Sequence, residues 1–287
     1  MVSDNTASRL TLRTLALAYL GALLVAPVAL IFIKVWSEGF SVPFDAITSP
    51  DGKHAIYLSL LTVAIAVPLN TVFGVACALM LVRRDFPGKW LINSIIDLPF
   101  ALSPIVIGLS LYLVYANTGW FGSWLDDHGI RIIFSTPGIV LACVFVSLPF
   151  VVREVVPVLR EVGTEQEEAA ATLGATSWQT FWRVTLPSIR WGLGYGVVLT
   201  TARVLGEFGA VTIVSGSIAG QTETLPLWIN KEFEQFNRPG AYMGAIVLAI
   251  LAFLALFVMQ LVGRRADKSG SAVPVGAEVN EPKEAVQ

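Results

Sequence analysis

Arg203 and Glu207 are two charges inside an otherwise apolar run, Arg203-Val204-Leu205-Gly206-Glu207-Phe208-Gly209-Ala210. Four residues apart, they share one face of a helix, one turn from each other. A charge at membrane depth is costly, so it faces a partner or a water-filled path. The chemistry open to this pair is therefore passage of an ion, or neutralisation of each other or of a second subunit. Gly206 and Gly209 allow close helix approach or an unwound turn. Phe208 suits either a gate plug or ordinary packing. Farther along, Ser215, Gly216, Ser217 and Gly220 offer hydroxyl and backbone donors without bulk. Such a turn can cradle an anion; the plainer reading is a glycine-serine loop that touches another protein. Asp97 is expected in the first turn of its helix, where the dipole favours an anion. Lining a path is the alternative.

No constellation for bond chemistry is visible. Cys77 and Cys143 sit in apolar runs and read as small buried groups. His54 and His128 lie in polar connections, and no Cys/His cluster has metal-ligand spacing. The phosphate loop G-x-x-x-x-G-K-[ST] does not occur. The expectation is a non-catalytic chain that binds no cofactor or metal itself. A net charge of −2 gives no basic field for nucleic acid.

A second set of residues carries a mechanical message. Thr164-Glu165-Gln166-Glu167 matches a capping box and predicts a helix start. Glu168-Ala169-Ala170-Ala171-Thr172-Leu173 favours helix, and Gly174 follows where a left-handed cap would end it. Thr176 or Ser177 can cap a second helix. There Trp178, Phe181, Trp182 and Leu186 recur at near-helical spacing and form one apolar face. Pro187 precedes the next apolar run. Helix, tight turn, helix is the reading for 153–188, either lying on lipid or docked on a protein.

The elements that must position these residues are membrane helices. Of 287 residues 55% are apolar and 14% charged, where a soluble domain carries roughly a quarter charged. Six runs reach the ~20 apolar residues that a spanning helix needs: 12–35, 55–82, 91–115, 136–152, 189–213 and 241–262. They are continuous rather than alternating, so helices are expected. The first run is read as a retained span and not a cleaved signal. Arg9, Arg13, Arg83, Arg84, Lys89, Arg153, Arg160, Arg183, Arg190, Arg264, Arg265 and Lys268 fall on one side. Lys53, Arg131, Lys231 and Arg238 fall on the other, with Lys34 at a span end, so the positive-inside bias puts both termini in the cytoplasm. Trp36, Trp120, Trp124 and Trp228 are expected in the outer aromatic belt. Residues 267–287 are rich in small, charged and proline residues and read as a disordered tail.

Glu168-Ala169-Ala170, three residues, Gly174, nine residues, Val184, one residue, Leu186-Pro187 resembles the signature of ABC importer permeases. That signature is EAA, then Gly, then Ile-x-Leu-Pro, in the cytoplasmic loop before the penultimate span. Val184 at the Ile position is the one departure. Gly206-Glu207-Phe208-Gly209-Ala210 resembles the sulfate and molybdate branch. The segments 214–227 and 232–237 are closer to the W-type permeases of sulfate/thiosulfate importers. Leu98-Pro99 and Ser103-Pro104 also resemble this branch.

The resemblance implies an all-α polytopic membrane protein with the type I ABC importer permease fold: six transmembrane helices and a cytoplasmic coupling-helix hairpin. Residues 1–266 would form one transmembrane permease domain. Glu168, Ala169, Ala170, Gly174, Val184, Leu186 and Pro187 would couple to an ATPase. Arg203, Glu207, Phe208 and Gly209 would line the path or gate it. Ser215, Gly216, Ser217 and Gly220 would meet the anion or the binding protein. The implied partners are a second, T-type permease in a heterodimer, an ATPase dimer carrying ATP and Mg, a periplasmic or surface-tethered sulfate-binding protein, and membrane lipid. The implied location is the bacterial cytoplasmic (inner) membrane. A molybdate/tungstate importer is the near alternative. An ion-coupled secondary transporter would show paired midplane acids or inverted repeats, and neither is clear.

Overall fold

The computed structural model describes residues 6–37, 39 and 41–270. Helices α1 (Thr6–Leu20) and α2 (Ala26–Ser37) join through one wide π turn, Gly21–Val25. Short α3 (Ser41–Thr48) leads into α4 (Pro50–Arg83). Then come α5 (Lys89–Ala101), α6 (Pro104–Tyr115), the short α7 (Gly122–Asp127) and α8 (Thr136–Val162). Helices α9 (Glu165–Thr172) and α10 (Ser177–Thr180) form the hairpin. A second π turn, Phe181–Thr185, carries α10 into α11 (Leu186–Leu205). Helices α12 (Gly209–Ser215), α13 (Leu225–Glu234) and α14 (Arg238–Gly270) complete the chain.

Among the described residues six spans are present by length and apolarity when each bent pair is taken as one, and three of them are single helices. Helices α4, α8 and α14 each cross alone; α1–α2, α5–α6 and α11–α12 are bent pairs. The unbroken helix expected over 91–115 is instead bent by 112° between α5 and α6. Proline disfavours helix in the residue before it, and Ser103 is extended at ψ 138° ahead of Pro104. The fifth span likewise bends by 56° between α11 and α12. The two breaks meet each other. A Cβ at Gly108 would lie 2.7 Å from the Ala210 carbonyl, and one at Gly209 3.0 Å from Pro104 Cβ. Glycine at 108 lets α6 and α12 approach this closely, and at 209 a side chain would press on Pro104.

Both π turns have one cause. Pro27 and Pro187 each sit just beyond such a turn. A proline ring clashes with the carbonyl four residues earlier, here those of Leu23 and Arg183. Widening the turn relieves the clash without ending the helix.

Helix α8 is the hub, with 61% of its spanning window buried against 39% for α4 and 28% for α14. At the hairpin end its Val151, Val152, Val155 and Leu159 pack with Val75, Ala78 and Leu81 of α4, Ile96 of α5 and Ile189 of α11. Asn70 of α4 donates to Ser147 Oγ (2.7 Å) and to the Val144 carbonyl (3.1 Å). These polar bonds tie α4 to α8 inside an apolar bundle. At the opposite end Val35, Ile47, Ala55, Trp228 and Met243 form a second core. Trp228 is therefore buried and is not a belt residue, whereas Trp36, Trp120 and Trp124 are exposed. Residues 267–270 continue α14, while 271–287, most of the expected tail, lie outside the described residues.

Candidate functional site

The hairpin is shorter than its loop. Helix α8 runs to Val162, so Arg153 and Arg160 are on a helix and the hairpin proper begins at Gly163. Its second helix is also not separate from the membrane domain. Residues Ser177–Leu205 run as one continuous rod through the π turn into the fifth span. A push on α10 is therefore a push on α11.

The capping box expected at Thr164 does not form. Thr164 Oγ1 bonds Glu168 Oε1 at 2.7 Å, and no side chain caps α9. The box forms one helix later. Thr176 Oγ1 accepts from the Gln179 amide and Gln179 Oε1 accepts from the Thr176 amide. Gly174 adopts φ +85°, the left-handed cap expected of it. A Cβ there would touch nothing within 4 Å. The requirement is thus the turn itself and not close helix approach.

What holds the hairpin to the spans is Glu167, the residue just before the signature. Its Oε2 lies 3.0 Å from Arg83 Nε, and its Oε1 accepts from Arg83 Nη2 (3.3 Å) and Thr185 Oγ1 (2.8 Å). Arg83, at the end of α4, also donates to the Leu159 carbonyl (3.1 Å) and the Gly163 carbonyl (2.6 Å) at the end of α8. One guanidinium thus gathers α4, α8 and the hairpin, the planar fork using several donors at once. Sequence reading missed both Arg83 and Thr185. Arg83 carries only the generic signal of a cation at a span end.

Glu168, by contrast, is exposed. Ala169, Ala170, Val184 and Pro187 line a cleft of about 560 Å³ together with Leu173, Arg183 and Arg190. Leu173 stands 89% exposed beside it. Leu186 turns the other way, against the hairpin-end core. On the far face Trp178, Phe181 and Trp182 line a groove against Val72, Val75 and Leu79 of α4. Trp178 and Trp182 meet edge to face with centroids 5.5 Å apart, and Phe181 packs on the core.

Arg203 and Glu207 neutralise each other, Nη1 to Oε2 at 2.6 Å. Glu207 is 2% exposed, and its Oε1 accepts from the Ala210 amide at 2.8 Å. The carboxylate so caps α12, where the orphan amides of a helix start favour an anion. Arg203 keeps about a third of its side chain exposed, with 31% accessible. Phe208 sits exposed at the bend. Glu207 is thus built into the break, and Arg203 is the member of the pair with a free face.

The loop after α12 is tied to itself. Ser215 is buried, its hydroxyl accepts from the Ser217 amide, and its carbonyl accepts from Thr222 Oγ1 at 2.6 Å. Gly216, Ser217 and Gly220 all have positive φ and are exposed. Beside this loop Glu223, almost fully buried, holds Lys231 Nζ at 3.1 Å, and Asp51 lies 3.9 Å from the same nitrogen. Burial pushes the Glu223 carboxyl above its usual range, with Lys231 opposing the shift.

Asp97 is not in a first turn. It stands in the second half of α5 and is bonded by Arg153 of α8, which also donates to Asn93 Oδ1 at 3.1 Å. Its charge is balanced by a neighbouring helix and not by a dipole.

Bent apolar spans around a hub helix, with a hairpin clamped to one end, define a multi-pass membrane permease of the ABC transporter type. The bacterial alginate ABC transporter in complex with an alginate pentasaccharide-bound periplasmic protein contains a chain of this fold. It matches at TM-score 0.73 and 18% identity over 93% of this chain and 97% of that one. The chain belongs to the family described as binding-protein-dependent transport system inner membrane component, which matches residues 70–268. The sulfate transport system permease protein CysW of Synechococcus elongatus is 49% identical over 256 residues, 89% of this chain and 90% of that protein. The CysT permease of Escherichia coli K12 is 39% identical over 242 residues, 84% of this chain and 87% of that one.

Proposed function

We propose that this chain is one permease half of an ATP-driven importer of sulfate or thiosulfate. The observation that carries the substrate is near-half identity, across nine-tenths of the chain, to a protein named a sulfate permease. The likeness to both a W-type and a T-type permease supports pairing with a second, T-type subunit. Two ATPase subunits, carrying ATP and Mg, would dock on the hairpin, and a binding protein would deliver the anion from the far side. The chain itself then makes and breaks no bonds. It sits in the cytoplasmic membrane with both termini and the hairpin inside, as the lysine and arginine bias supports.

The mechanics follow from the rod and the clamp. Closure of the ATPases displaces the hairpin. The Ser177–Leu205 rod carries that displacement directly into the fifth span, and Arg83 carries it into α4 and α8. The bend at Gly206–Phe208 is the compliant point, and it packs on the bend of the third span through Gly108 and Gly209. Motion at one break therefore moves the other, the two-state rearrangement that alternating access requires.

Proteoliposomes test this directly. They carry this chain, a T-type permease and the ATPase, with ATP inside and a sulfate-loaded binding protein outside. Sulfate accumulation that needs all four components and internal ATP is expected. Equal accumulation when this chain is left out would refute the reading.

A further inference from the structure

At the hairpin end of the bundle a cleft of about 710 Å³ opens between the end of α4, Phe86, Pro87 and Gly88 of the loop that follows, the start of α5 and the last turns of α8. Lys89, Arg153 and Arg160 converge on it, and among the described lining residues there is no carboxylate. Leu81, Phe86 and Val156 supply its apolar wall. Trp90, on its rim, is 72% exposed, the placement of a side chain at a membrane–water boundary. Arg153 is bonded to Asp97, and Lys89 reaches an exposed Asp85 at 2.9 Å. Arg160 has no carboxylate within ion-pair distance among the described residues and is exposed.

Cations that only mark the inner side of a membrane protein project singly into water. These three share a concavity whose other wall is apolar and whose rim carries the exposed Trp90. A bare phosphate would fill little of it, since sites of roughly 300–1,000 Å³ hold whole small molecules. Basic pockets between membrane helices take anionic headgroups by charge, and lipid supplies the apolar remainder. We propose that this cleft binds the phosphate of an anionic phospholipid between Lys89 and Arg160, with its glycerol and chain ends against Leu81, Phe86 and Val156.

The test is lipid retention by the full chain, alone and in its assembled complex, measured by native mass spectrometry. The probes are phosphatidylglycerol, phosphatidylcholine and inorganic phosphate. One tightly held phosphatidylglycerol is expected, not displaced by phosphatidylcholine or by inorganic phosphate. The double variant Lys89→Gln/Arg160→Gln should hold it roughly 30-fold more weakly, each cation near an anionic surface being worth about a factor of five. The variant Arg84→Gln, outside the cleft, should retain it. Retention unchanged in the double variant would overturn the site. Displacement by inorganic phosphate would overturn the lipid and make the occupant a soluble anion. Retention by the chain alone that vanishes in the complex would also overturn it, because a protein partner would then cover the cleft.

Discussion

Arg83 Nε lies 3.0 Å from Glu167 Oε2, and this ion pair joins the end of α4 to the first turn of the hairpin. Both side chains are mostly shielded, at 16% and 22% accessible. If hairpin motion reaches α4 and α8 through this pair, Glu167→Gln or Arg83→Lys should leave a folded subunit whose transport falls about tenfold or more. ATP hydrolysis should persist. Charged hydrogen bonds of this kind contribute about 1.5–3 kcal/mol, so a double-mutant cycle on thermal stability should give about 1–3 kcal/mol of coupling. Normal transport by both variants would remove Arg83 from the coupling path.

Gly174 is needed for its backbone alone. Because its φ is +85° and no atom crowds a Cβ there, substitutions should rank by left-handed tolerance. Gly174→Asn should be mildest, Gly174→Ala should cost ~1–2 kcal/mol, and Gly174→Val should be worst. Gly174→Asp is tolerated by the backbone but adds a charge beside the exposed Leu173, and should insert normally yet uncouple transport from ATP. Coupled ATPase and uptake assays read all four. Equal tolerance of asparagine and valine would contradict this order.

The Arg203–Glu207 pair separates structure from transport. Arg203→Ala strands a buried carboxylate and should cost about 3–5 kcal/mol, seen as lost expression or a lowered Tm. Adding Glu207→Gln should restore folding, since the neutral amide oxygen can still accept from the Ala210 amide. If Arg203 also meets the anion on its exposed side, the refolded double variant should stay transport-dead. Full uptake by that double variant would make the pair purely structural.

Glu223 predicts a pH dependence at the opposite end. Its folded-state pKa is raised above the ordinary 4.5 by burial. The folded state then binds more protons than the unfolded one in the window above 4.5. Stability contributed by neutral Glu223 is present at acid pH and lost as pH rises through that window. Lys231 offsets part of the loss, while Asp51 and Glu232 add to it. Thermal unfolding followed from pH 4 upward should show this slope, and Glu223→Gln should flatten it. An unchanged slope in that variant would assign it elsewhere.

The six spans were legible because hydrophobic length is a local property, and the hairpin because its helix, turn and cap residues are contiguous. The bends were less so. Ser103-Pro104 carries the signal of an extended residue before proline, yet an apolar run on both sides reads as one helix. Arg83 and Glu167 are 84 positions apart, and no local spacing joins them. That pairing also explains why the Thr164 box fails. Glu167, its expected capping acid, is drawn inward to Arg83, and tertiary charge wins over a local cap. Trp228 misled for a similar reason. Its position suits a boundary, but α4 and α14 pack against its helix and bury it.

The most direct measurement is labelled sulfate uptake in cells lacking this gene, before and after the gene is restored, with thiosulfate and molybdate as competitors. The expected result is uptake that returns with the gene, is blocked by thiosulfate and is little affected by molybdate at the same concentration. Sulfate uptake indifferent to the gene, or gene-dependent uptake of molybdate instead, would contradict the assignment to sulfate.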